Sequence, residues 1–433
     1  MRYRELAVLD RDDRELIDVL GMGMSRDVAS VFAYLLQRTR QDAIQRAAAT
    51  RLEIQVGTGL GRDATISATN ELTEQSLVET TTVTHPDRDR RRKGWRAVAG
   101  LDSCVSTLFS AQASRLRTQG REIARRFGGA TAVPDTPRTD PDPETPATVP
   151  DPDSLSVALN WEPNAVHFPL HAARQAGIYQ EAGLSVSLHA NRGSGEAIRT
   201  VVDGDHPLGI AGPITLLRAV MEAEAIVPLA VLYQRSMVVL YTLRSVFGTT
   251  FDSIDQLAGR RLAIAADSEP GRIATVVLSQ QGLLDDVELV HVSGEEREAL
   301  QAGTADVAVG VFTDPIALEN EGRDADEVPI ATGFPIPGPA LVAHTDAIQS
   351  RESAIDRFLE ATMHGWARGL REPGAVAADL ESVAVGPTGA EVVDALITRF
   401  GTDATARKHG WGWQASDAWD RVAETLRVVE EAR

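Results

Sequence analysis

Asn160, Trp161, Asn164 and His167 fall within one short stretch, just after an apolar run that begins at Ser156. This set suits recognition of a small heteroaromatic ring. An indole face stacks on the ring, and amide side chains donate to and accept from ring nitrogens and an exocyclic amine. Two later turns add to it. Gly193-Ser194-Gly195 lets backbone approach a ligand closely. Asp267-Ser268-Glu269-Pro270-Gly271-Arg272 joins a strand pattern to a helical one, where N–H groups meet an anion, Arg272 adds charge and the Glu269 carboxylate accepts from an amine. Plainer roles fit each part: a core tryptophan, an ordinary turn, a charge at a helix start. Catalytic combinations are weaker. His167 and His171 stand at helical spacing without the Glu of a zinc motif. Cys104 is the only cysteine, and Lys93 and Lys408 are the only lysines. No catalytic residue, metal or cofactor is expected.

A second chemistry lies nearer the N-terminus. In the helical stretch Arg62–Gln75, Thr65, Ala68 and Leu72 face inward, leaving Arg62, Asp63, Ser67 and Asn70 outward to meet base edges or phosphates. The run that follows carries Arg88, Arg90, Arg91, Arg92 and Lys93, point charges suited to a phosphate backbone. A solvated Arg-rich loop on a small helical domain would give the same pattern.

These residues need elements to hold them. The pattern reads as a helix with Val28, Val31, Phe32, Leu35 and Leu36 on one face, a helix over 51–58, a break at Gly59-Leu60-Gly61 and the helix from Arg62. A strand over 77–84, a polar turn over 85–94 and a strand over 95–98 follow. That order is a winged helix-turn-helix. The amphipathic stretch 101–127 either pairs two subunits through Val105, Leu108, Phe109 and Leu116 or packs back on its own domain. The stretch 128–154 holds seven prolines and six acids, an extended tether. From Leu155 short apolar runs alternate with helical patterns, which predicts an α/β architecture with parallel sheets in two lobes and a ligand cleft at the strand ends. The expected units are 1–127, the 128–154 linker and 155–433.

The 433 residues carry a net charge of −19, yet residues 1–127 sum to +4 and the remainder to −23. Such asymmetry suggests different partners for the two halves. With no apolar leader and no run long enough to span a bilayer, a cytoplasmic location is expected.

Two resemblances sharpen this. Residues 25–98, with Leu60, Ser67-Ala68, Leu72 and Ser76-Leu77-Val78, resemble winged-helix regulators common in archaea. The stretch Asn160-Trp161-Glu162-Pro163-Asn164 with His167, then Gly177-Ile178-Tyr179, Glu181 and Gly183-Leu184, resembles the thiamine-pyrimidine precursor family. That family implies a two-lobed type II periplasmic-binding-protein fold, with solute receptors and yeast pyrimidine synthases among its members. The synthases' lysine falls at Ala211 and their histidine at Thr215, and their cysteine cluster is missing, so the resemblance implies binding without catalysis. The expectation is a homodimeric regulator that binds operator DNA and senses hydroxymethylpyrimidine or its phosphate. A biosynthetic enzyme or a transporter's binding component are the alternatives.

Overall fold

The computed structural model describes residues 9, 13–40, 48–85, 88–98, 101–128, 153–332, 335–383, 389–401 and 403–431. Of the proline-rich tether expected over 128–154, residues 129–152 lie outside them, while Gly128 ends a helix and Asp153 begins a strand. Its N-terminal part begins with α1 (Asp13–Leu20) and α2 (Arg26–Arg40). The apolar face of α2 is buried as its spacing requires. The short strand β1 (Ala49–Thr50) leads into α3 (Arg51–Thr58), where Glu53 accepts from the Thr50 backbone N–H at 2.7 Å. Gly59 ends that helix with φ +73°, a left-handed turn that suits glycine. Helix α4 (Arg62–Glu74) buries Thr65, Ala68, Thr69 and Leu72.

Strands β2 (Val78–His85) and β3 (Arg88–Ala97) complete an antiparallel sheet in the order β1-β3-β2. Most of the segment expected as a polar turn is therefore strand. Arg91, Arg92 and Lys93 pair with Thr84, Val83 and Thr82 of β2, because β-branched partners across the ladder outweigh the poor strand propensity of a charged run. All three side chains remain exposed.

Helix α5 (Leu101–Gly128) touches α1 and Gly23 of its own part, as one expectation had it, but packs mainly elsewhere. It lies against the C-terminal part, on a strand and on the long helix Glu352–Arg371. Its stripe Val105, Leu108, Phe109 and Leu116 is buried within the chain and so is not available to a second subunit. Gly120 allows the contact, since a Cβ there would come within 1.8 Å of the Pro228 carbonyl oxygen. Arg117 donates to both Asp356 oxygens at 3.0 and 3.1 Å and reaches Glu352 at 3.0 Å.

The C-terminal part holds two sheets. The first has β4 (Asp153–Ala158), β5 (Leu184–His189), β6 (Leu208–Ala211), β7 (Ile226–Val231) and β13 (Ala340–His344) in the order β5-β4-β6-β13-β7. The second has β8 (Val238–Leu243), β9 (Arg261–Ile264), β10 (Glu288–His291), β11 (Val307–Val311) and β12 (Ala325–Pro329) in the order β10-β9-β11-β8-β12. Both are mixed, not parallel as the strand–helix alternation predicted. Strands β8 and β13 follow the crossings between lobes, and each runs antiparallel to its neighbours. The crossings pair with one another as a hinge: Leu232 N–H to the Pro339 oxygen at 2.9 Å, Gly338 N–H to the Tyr233 oxygen at 2.8 Å, and Ser236 N–H to the Ile336 oxygen at 2.9 Å.

Candidate functional site

In each sheet three neighbouring strands, β5-β4-β6 and β10-β9-β11, run parallel. Their carboxyl ends therefore open side by side, the usual place for a ligand in an α/β fold. At the end of β4 stand Asn160 and Trp161, and Gly193-Ser194-Gly195 follows β5. Trp161 is 52% exposed, a large apolar face left to water. Asn164 caps the next turn, its Oδ1 accepting from Val166 N–H at 2.8 Å.

His167 is fully buried beneath this loop. Its Nδ1 accepts from the Asn164 backbone N–H at 3.3 Å, so the ring proton sits on Nε2, which donates to Asn160 Oδ1 at 2.9 Å. Burial, with His171 beside it, pushes the imidazole down to about 3, so it stays neutral. With Oδ1 held, Asn160 has its amide N–H groups left to offer, donors that suit an acceptor ring nitrogen. His167 thus positions Asn160.

The second turn behaves differently from its sequence reading. Gly271 N–H donates to Ser268 Oγ at 3.1 Å and Arg272 N–H to the Ser268 oxygen at 3.0 Å, so these N–H groups are spent inside the helix start. Gly271 serves packing instead: a Cβ would lie 2.1 Å from the Ala265 oxygen. Glu269, at the start of the helix Glu269–Gln280 in the second lobe, reaches the first lobe. It accepts from the N–H groups of Ile214 and Thr215, at the start of the helix Pro213–Met221. Desolvation pushes its carboxyl above the ordinary range, against the Thr215 and backbone hydrogen bonds. Ser194 Oγ accepts from Gly212 N–H at 2.9 Å beside it. Gly193 takes φ +139°, open to glycine and little else, and Gly195 is exposed.

The structure therefore joins Asn160, Asn164 and His167 in one hydrogen-bonded group, and Ser194, Glu269 and Arg272 around Gly212 in another. Sequence reasoning missed Gly212 and Ile214, and saw Thr215 only for the histidine it replaces. Gly212-Pro213 ahead of an apolar run was the available signal, since proline favours the first position of a helix. Asp314, raised by burial to about 6, stands at the carboxyl end of β11 and accepts from Val311 N–H at 2.7 Å. A mainly apolar groove open to solvent is lined by Ile17 and Met22 of the α1 region, the hinge residues Leu232 and Tyr233 just past β7, and Trp411. The two hydrogen-bonded polar groups lie instead at the ends of β4 and β6, outside this groove.

In the N-terminal part Arg62, Ser67 and Asn70 are exposed on one face of α4, and Arg91, Arg92 and Lys93 are exposed on β3. The side chains of Arg88 and Arg90 lie outside the described residues. Among the described residues no group of three or more His, Cys, Asp or Glu is placed to hold a metal. No described helix is long and apolar enough to cross a membrane.

Residues 164–376 match the family model described as NMT1/THI5 like. The formylaminopyrimidine-binding protein of Halalkalibacterium halodurans is 24% identical over 222 residues, 49% of this chain and 66% of that protein, just under two thirds of its length. The periplasmic aliphatic sulphonate binding protein of Escherichia coli superposes with TM-score 0.54 at 14% identity, over 65% of this chain and 93% of that one. A Candida albicans gene product described as having the generic periplasmic binding protein fold gives TM-score 0.51 at 16% identity, over 64% and 90%. Residues 164–376 are thus similar to the NMT1/THI5-like family, and the C-terminal part has the mixed-sheet α/β fold of periplasmic binding proteins.

Proposed function

We propose that the chain is a solute-binding protein whose two C-terminal lobes take up a pyrimidine of the thiamine-precursor kind. The observation that carries this reading is the pair at the end of β4: an indole face left half exposed beside an amide whose acceptor is already engaged. A flat ring with an acceptor nitrogen satisfies both. Likeness to a formylaminopyrimidine-binding protein supports the ring class. The only lysines, Lys93 and Lys408, are not on the strand-end loops, and the Ser194 and Thr215 hydroxyls there are engaged by Gly212 and Glu269, which favours binding over conversion. Calorimetric titration of the full chain with 4-amino-5-hydroxymethyl-2-methylpyrimidine and with a formylaminopyrimidine tests it. Absence of heat from both, at millimolar ligand, rejects the assignment.

A second reading concerns what the binding is for. Arg62, Ser67 and Asn70 share the exposed face of one helix, and Arg91, Arg92 and Lys93 extend the same basic character along a hairpin. This supports a cytoplasmic, ligand-responsive regulator that binds operator DNA as a dimer through a winged helix-turn-helix. A ligand would act there only through different affinities for two states of the chain. DNA affinity of the full chain should then fall steeply with salt, and neutralising Arg91, Arg92 and Lys93 should flatten the slope by about one unit per lost phosphate contact. Salt-independent or undetectable DNA binding leaves the solute-binding reading alone.

A further inference from the structure

The helix Pro213–Met221 points its N-terminus at the opposite lobe, and that N-terminus is already occupied. Pro213, its first residue, has no N–H to give. The next two N–H groups, of Ile214 and Thr215, donate to the two carboxylate oxygens of Glu269 at 2.7 and 3.0 Å. The Thr215 hydroxyl donates to the same carboxylate at 2.5 Å, and Arg272 Nη1 donates to that hydroxyl at 3.0 Å. The nearby Gly212 N–H is taken by Ser194. A carboxylate on one lobe thus supplies the cap that the helix on the other lobe lacks, at the positive end of its dipole.

Gly212 makes the room. A Cβ there would lie 2.3 Å from Glu269 Cγ, while its φ of −68° and ψ of 152° suit any residue. The glycine therefore serves space and not conformation.

We propose that Glu269 is a latch between the lobes and a specificity-determining residue: it fills the cleft's anion seat, so the cleft takes an uncharged heterocycle and rejects solutes that bring a phosphate or sulfonate there. The selectivity part rests on the solute-binding reading above; the latch does not. An incoming anion would have to displace a carboxylate that is covalently part of the chain, since two anions cannot share the same two N–H donors.

The test titrates wild type and Glu269→Ala, as full chains, with hydroxymethylpyrimidine, its phosphate monoester and inorganic phosphate. X-ray scattering of both without ligand accompanies it. The wild type should prefer the uncharged pyrimidine to the monoester at least tenfold, and Glu269→Ala should gain at least tenfold in affinity for inorganic phosphate and scatter with a larger radius of gyration. Equal binding of pyrimidine and monoester by the wild type overturns the selectivity. An Ala variant with no gain for phosphate and no expansion overturns the latch. If no pyrimidine binds the wild type while the variant expands and takes phosphate, the latch stands and the solute assignment fails. Gly212→Ala, which expels the carboxylate without removing it, checks the same point from the other lobe: an unchanged radius of gyration counts against the latch whatever the fate of Glu269→Ala.

Discussion

His167 acts on a ligand through Asn160. Both of its ring nitrogens are engaged, and it is neutral because burial holds its protonation near 3, with His171 held near 4. An imidazole in the unfolded chain titrates near 6.5. The unfolded state therefore binds more protons below that pH, so the stability these residues contribute is complete above 6.5 and is lost as pH falls toward 4 and 3. At pH 5 the shortfall is about 1.5 pH units, on the order of 2 kcal/mol for each histidine. Asp314, with its raised carboxyl, works in the opposite sense, so the measurement compares wild type with His167→Gln in urea at pH 7.5 and pH 5.0. His167→Gln should lose about 2 kcal/mol less than the wild type on that descent; equal losses would show that His167 is not buried neutral. A Trp161→Ala variant, by contrast, should leave stability within about 0.5 kcal/mol and weaken pyrimidine binding by about 1 kcal/mol or more in titration, because the side chain is half exposed and its stacking face is its contribution. Asn160, Trp161 and His167 were legible because their chemistry is local, packed into one loop. The partner of Glu269 was not, because it lies 54 and 55 residues away, on the other lobe. Local periodicity carries no record of such a contact.

Helix α5 shows the same division between what is local and what is not. Its apolar stripe and its length follow from residue spacing, but spacing names a buried face without naming what buries it. The surface that covers it is β7 and the Glu352–Arg371 helix, and at Gly120 there is no room for a Cβ against the Pro228 oxygen. Gly120→Ala should cost about 1–3 kcal/mol in thermal or urea unfolding, since the obstructing Pro228 oxygen is backbone and cannot swing aside. The gain in helix propensity offsets under 1 kcal/mol of that. Gly61→Ala, where nothing lies within 4 Å, is the control and should stay within about 0.5 kcal/mol. Equal effects at the two glycines would mean that α5 does not dock on β7. Strand β3 is a complementary case. Its arginines read as a turn by composition, and pairing with the threonine-rich β2 makes them a ladder.

Across the whole molecule the opposed charges of the two halves are partly spent on each other. Arg117 and Arg121 of α5 meet Glu352, and Arg117 also meets Asp356, so the basic excess of residues 1–127 is in part an internal complement to the acidic lobes. The contact continues through hydrogen bonds: Gln112 Nε2 donates to the Trp411 oxygen at 2.9 Å, and Trp411 N–H donates to the Met22 oxygen at 2.9 Å. With α5 shared between them, the N-terminal part and the first lobe should open together. Cys104, the only cysteine of the chain, is buried on α5 and reports on this without any substitution. Its labelling by a thiol reagent requires opening around α5. A pyrimidine at about 100 times its dissociation constant stabilises the closed lobes by about 2.7 kcal/mol. If opening at Cys104 is part of the same cooperative unit, labelling should slow by about 100-fold, the full equivalent of that energy. If the N-terminal part opens alone, the rate should not change with ligand, although the same titration shows the ligand bound. An intermediate slowing would measure how much of the lobe must loosen before α5 lifts, and so how much of a binding event in the cleft is felt at α4 and the β2–β3 hairpin.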